Sequence, residues 1–175
     1  PVNKALKRRR GGWLMSDPDR AIAITRAVLA ATGRPVTLKC RRAFAEADGP
    51  GACIAIAAAA YDAGAAAVCV HARSVEAKYS GPADWSLLAE LRRRFAGCTL
   101  LGSGDVHSAG RAMEMLRATG VDAALAARGA LGNPWIFAQF DDLAAGRAPG
   151  QPALNEQKRV LLRHYEDSCA FYGDE

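Results

Sequence analysis

Four short apolar runs recur along the chain, and they restrict its fold more than any other feature. They are Val36-Thr37-Leu38, Ala67-Val68-Cys69-Val70, Thr99-Leu100-Leu101 and Ala123-Ala124-Leu125-Ala126. Each is continuous rather than alternating, the pattern of strands covered on both faces. They begin at positions 36, 67, 99 and 123, close to the roughly 30-residue step of a strand–helix–strand unit. Helical patterns fill the intervals. Asp17-Pro18 reads as N-cap and first residue of a helix carrying Ile24 and Val28, with Gly33 as its stop. An Ala-rich helix runs from Cys53 to Tyr61 and ends near Gly64. Trp85, Leu88, Leu91 and Phe95 share one face of a third helix. Ser108 caps a helix carrying Met115 and Leu116 that Gly120 closes, and Asn133-Pro134 opens another. A last amphipathic helix spans about Leu154 to Tyr172, after a Gly- and Pro-rich linker from Gly146 to Pro152.

Strands alternating with helices predict a parallel sheet, either doubly wound or part of a (β/α)8 TIM barrel. A closed barrel typically takes about 250 residues, and this chain has 175, so four units cannot close one. The expected organisation is an α/β domain over residues 1–145, a linker over 146–152 and the start of a helical domain over 153–175. An apolar fraction of 50% is enough for a core, and no apolar run is long enough for a transmembrane helix. The chain opens on Pro1 rather than Met, so a processed terminus or a piece of a longer chain is expected.

The net charge is +5. The cations cluster at Lys4, Lys7, Arg8, Arg9 and Arg10, at Arg41 and Arg42, and at Arg92, Arg93 and Arg94. The last group reads as a solvated helix end, and the first points to a polyanionic partner. Cys40, Cys53, Cys69, Cys98 and Cys169 are scattered, with no CxxC spacing, so no metal site is expected. Free thiols and no visible signal peptide fit a cytoplasmic protein.

Every apolar run exits into polar residues. The exits are Lys39-Cys40-Arg41, His71-Ala72-Arg73, Gly102-Ser103-Gly104-Asp105 and Arg128-Gly129. In a parallel array these ends share one rim, where α/β enzymes place their sites. Gly102, Gly104 and Gly129 permit close backbone approach to an anion, and Arg128 adds a forked cation. Tight turns and a structural ion pair are the plainer alternative for these residues. Lys39 and His71 are the candidates for chemistry, with a snorkelling Lys and a structural His as the alternative.

Longer segments carry a resemblance. They are Pro1-Val2-Asn3-Lys4, Gly11-Gly12-Trp13-Leu14-Met15, Pro35 to Arg41, Asp62 to Ala65, Val70 to Arg73, Tyr79-Ser80-Gly81-Pro82-Ala83-Asp84-Trp85, Gly102 to Val106 and Arg128 to Phe137. In this order they resemble the tRNA-dihydrouridine synthase family of bacterial type, from Pro1 to about Tyr172. The Tyr79–Trp85 and Arg128–Phe137 runs are the most specific. The resemblance implies the second half of a TIM barrel and the start of a C-terminal helical domain. It implies FMN as cofactor, NADPH or NADH as reductant, and reduction of uridine to 5,6-dihydrouridine in tRNA. Lys39 and His71 would line the flavin, with Ser103, Gly104, Asp105, Ala127 and Arg128 at its phosphate end. Arg41 and Arg73 would bind substrate, and the basic N-terminal cluster and the last helix would face tRNA. The family's general acid is a cysteine in a Gly-Cys-Pro motif whose Pro matches Pro1, so it is expected just before this chain. None of the five cysteines present matches it. Ser103 stands where the family usually has Asn, Ala127 and Ala72 where it has Gly, and Cys40 where it has an aliphatic residue.

Two other readings remain. One is another FMN barrel oxidoreductase acting on a free pyrimidine, which would lack the two specific runs. The other is a non-catalytic half-barrel with residual RNA affinity.

Overall fold

A computed structural model describes residues 2–173. Pro1, the residue matched to the motif of the expected general acid, lies outside the described residues. The main elements are α1 (Asn3–Lys7), α2 (Pro18–Ala30), β1 (Thr37–Arg41), α3 (Gly51–Asp62), β2 (Ala67–His71), α4 (Trp85–Arg94), β3 (Leu100–Ser103), α5 (Ala109–Thr119), β4 (Ala123–Leu125), α6 (Ile136–Ala144) and α7 (Leu154–Tyr172). Short 3-10 turns cover Gly11–Ser16, Glu46–Asp48 and Arg128–Ala130.

The four strands form one parallel sheet in the order β1-β2-β3-β4. The order has no reversal and so no switch point of the doubly wound kind. It is the order in which successive units of a (β/α)8 barrel pair. Right-handed crossovers then stack the helices along one face. On that face sit Cys40, whose Sγ lies 3.8 Å from Cys53 Sγ in α3, and the fully buried Val68 and Val70. Gly102 is there too. A Cβ on it would lie 2.7 Å from Met115 Sδ and 3.0 Å from Leu88 Cδ1, so an added methyl would push back these side chains of α5 and α4. Alternation sends Lys39, Arg41, Cys69, His71 and Ser103 to the opposite face. Register aligns Lys39 with Cys69, Arg41 with His71, and His71 with Ser103.

Local chemistry sets the helix ends. Asp17 accepts a hydrogen bond from Arg20 N at the start of α2, with Pro18 as its first residue. Ser108 caps α5 in the same way, and Gly120 ends it in the left-handed region at φ 71°. Helix α2 stops at Ala30, ahead of the expected Gly33, and α6 begins at Ile136, after the Asn133-Pro134 turn. Arg92 is no free surface charge. It donates to the carbonyls of Cys98 and Phe95 and pairs with Asp122 at 2.9 Å, closing the C-terminus of α4. Helix α1 carries Lys4 and Lys7 of the basic cluster, with Arg8, Arg9 and Arg10 in the turn after it, and buries no residue. Helix α7 also buries none, and leaves Leu161, Leu162, Tyr165, Phe171 and Tyr172 exposed. Among the described residues no helix is long and apolar enough to cross a membrane.

Candidate functional site

The strand ends open onto a cleft of about 500 Å³. Lys39 and Arg41 enter it from β1, His71 from β2, Ser103 from β3, and Ala127 and Arg128 from the loop after β4. Tyr79, from the long loop after β2, and the Gly11-Gly12 turn complete its rim. The lining holds three fixed cations and no carboxylate. Such a cleft favours an anion, since no carboxylate among the described residues pairs with its charges.

The individual groups are arranged in different ways. Lys39 is exposed and forms no salt bridge among the described residues. Arg41 is anchored by donating from Nη1 to Ser74 O at 2.7 Å. Burial lowers the proton affinity of its guanidinium, yet it stays charged at neutral pH. His71 Nδ1 lies 3.1 Å from Ser103 Oγ, and its Nε2 is buried without a partner. Burial, then Arg41 and Lys39, push the His71 pKa down to about 4, so the ring is neutral at pH 7. Arg128 is exposed, and its guanidinium lies over the Tyr79 ring at 4.2 Å.

Arg73, Gly104 and Asp105 do not line the cleft. Arg73 is only 4% exposed, donates from Nε and Nη2 to Gly81 O, and pairs with Asp105 Oδ1. Asp105 Oδ2 accepts from Ala83 N at 2.7 Å. Burial alone would raise the Asp105 pKa, but the Ala83 N–H and Arg73 outweigh it and hold the carboxylate below its ordinary range. Asp105 sits at φ 58° and Gly104 at φ 124°, so the chain turns sharply as it leaves β3. A Cβ on Gly104 would lie 2.6 Å from Ala83 Cβ, and Trp85 Nε1 donates to Gly104 O at 3.0 Å. Gly129 packs against the segment that leaves β3, where a Cβ would lie 2.4 Å from Val106 O. The exits of β2, β3 and β4 are therefore one interlocked block.

Tyr79 and the carbonyl of Gly81 had not been singled out as site residues. Their place at the site comes from contacts distant in sequence. The signal available beforehand was Tyr79 opening the Tyr79–Trp85 run, whose Tyr79–Ala83 part lies ahead of the α4 cap and has no apolar period to explain it.

The model of the family described as dihydrouridine synthase matches residues 1–175. A probable tRNA-dihydrouridine synthase of Mycobacterium leprae (strain TN) is 40% identical over 113 residues, covering 64% of this chain and 29% of that protein. The tRNA-dihydrouridine synthase B of Xanthomonas campestris pv. campestris is 36% identical over 176 residues, 99% of this chain and 52% of that protein. The synthase B of Pseudomonas putida is 34% identical over 175 residues, 99% of this chain and 51% of that protein. The chain thus spans about half the length of these last two relatives. A match along the whole chain, on a parallel sheet with a cationic cleft at its strand ends, establishes that the chain belongs to the dihydrouridine synthase family.

Proposed function

We propose that this chain supplies four βα units of a TIM barrel whose strand-end cleft binds FMN. In the whole protein it would serve reduction of uridine to 5,6-dihydrouridine in tRNA at the expense of NADPH or NADH. The observation that carries this reading is the convergence of Lys39, Arg41, His71, Ser103 and Arg128 on a cleft without a carboxylate. The donor set fits a flavin mononucleotide. Arg128 suits the phosphate as a forked cation, and the partnerless Nε2 of His71 offers a donor beside the ring.

When bound, FMN supplies the hydride for the C5=C6 bond of uracil. Lys39 holds a positive charge on the cleft face of β1, where it offsets negative charge on the ring. In the tautomer where Ser103 donates to Nδ1, the neutral His71 carries its proton on the partnerless Nε2, from which it would donate to a bound ligand. A neutral ring also spares the cleft a further cation beside Arg41. Arg41, tied by one nitrogen to Ser74 O, retains donors for a uracil carbonyl. Lys4, Lys7, Arg8, Arg9 and Arg10 form no salt bridge among the described residues and would meet tRNA phosphates. Helix α7 would open the helical domain that shares this task.

Disrupting the gene and measuring nucleoside masses in tRNA tests the proposal. One dihydrouridine is expected to revert to uridine, with the loss of two hydrogens in mass. Restoring the gene should return it, and a Lys39→Ala copy should do so on the order of a hundredfold more slowly. Activity on free pyrimidines with intact tRNA modification would instead favour another FMN barrel enzyme.

A further inference from the structure

The Tyr79–Trp85 segment is absorbed by none of the roles above, although it borders the cleft. It belongs to the loop that leaves β2 and returns to α4. Hydrogen bonds along its length hold that loop down, among them Arg41 Nη1 to Ser74 O and Asp84 N to Ala72 O. Val75 N donates to Ala43 O at 2.9 Å near its start. Arg73 grips Gly81 O from below with Nε and Nη2. Asp105, paired with Arg73, receives Ala83 N at its end. Between these points the chain passes through Lys78 and Gly81 at φ 50° and 67°. That conformation carries Tyr79 out over the rim, where the residue is 61% exposed. Arg128 Cζ lies over the Tyr79 ring, 4.2 Å from its centroid. Arg128 has no carboxylate partner among the described residues, so the stack is what sets its direction.

We propose that Tyr79 is a positioning residue that aims Arg128 at an anionic ligand, and that the buried Arg73–Asp105 pair is the latch that fixes Tyr79. Arg73 and Asp105 then act through the loop and touch neither substrate nor phosphate. This rests on the FMN reading, with Arg128 at the phosphate. The gain is preorganisation: a stacked guanidinium has already lost most of the rotamer freedom it would otherwise lose on binding.

FMN and riboflavin differ only by the phosphate, so their affinity ratio isolates the Arg128 end of the site. Both dissociation constants are measured by flavin fluorescence on the protein as its gene encodes it. Tyr79→Ala is expected to weaken FMN about tenfold, the scale of one weakened charge-assisted contact, and to leave riboflavin unchanged. Tyr79→Phe keeps the ring face and should preserve both. Asp105→Asn should show the same selective loss as Tyr79→Ala. If Asp105→Asn does not fold, the exposed Tyr79 pair decides the matter alone. Equal weakening of both flavins by Tyr79→Ala would mean that Tyr79 touches the ring system, and it would overturn the proposal. An unchanged FMN affinity would overturn it too. A wild-type protein that binds both flavins equally removes the phosphate role of Arg128 and this inference with it. One that binds neither refutes the FMN reading itself.

Discussion

At the scale of single residues, His71 shows how the sheet tunes a titrating group. Its ring is partly buried beside Arg41 and Lys39, so the folded form accepts a proton only near pH 4, against 6.5 ordinarily. Between these values the unfolded chain holds more protons. Stability from this group is therefore complete above about pH 6.5 and declines as the pH falls toward 4. The full shift would correspond to about 3 kcal/mol. Solvent reaches the ring, and screening cuts this to about 1–2 kcal/mol. His71→Asn, which keeps a polar group near Ser103 but does not titrate, is expected to flatten that part of the urea-unfolding profile. A slope unchanged by the substitution would place the proton uptake elsewhere. Acidic loss from Asp105 comes later, because its carboxylate is held below the ordinary range.

At the scale of elements, the exits of β3 and β4 are joined by a missing side chain. Gly129→Ala would drive a Cβ to within 2.4 Å of Val106 O and 2.9 Å of His107 Cα, both backbone atoms that cannot rotate aside. A loss of about 2 kcal/mol is expected in chemical denaturation. Gly33→Ala is the control, since nothing lies within 4 Å of its added Cβ. A similar loss at both would show that the cost is not packing. These elements differed in how readable they were beforehand. The caps at Asp17 and Ser108 act within three residues and were legible. The strands were visible only in their apolar parts. Strand β1 continues through Lys39, Cys40 and Arg41, because ladder bonds to β2 ignore side-chain polarity. Helix α1 was missed among its cations, which show no apolar period. The shared rim of Lys39, His71, Ser103 and Arg128 followed from topology alone. The burial of Arg73 did not, because Gly81 and Asp105 reach it from two later segments.

At the scale of the whole molecule, apolar surface is unevenly placed. Helix α7 buries nothing and shows Leu161, Leu162, Tyr165, Phe171 and Tyr172 to solvent, while Leu101 and Leu125 on the cleft face of the sheet are only partly covered. Expressed as residues 1–175, the chain is expected to form dimers or larger species. A monomeric mass by light scattering would contradict this. The strand order has a separate consequence, for how the chain reaches its structure. Each pairing joins a strand only to the next one made, as in Thr37 with Ala67, Val68 with Leu100 and Leu101 with Ala123. Within this sheet β2, β3 and β4 each find a partner already made, so each unit can dock on its predecessor as it leaves the ribosome. The cleft would then be assembled in the same direction, with Lys39 placed first and Arg128 last.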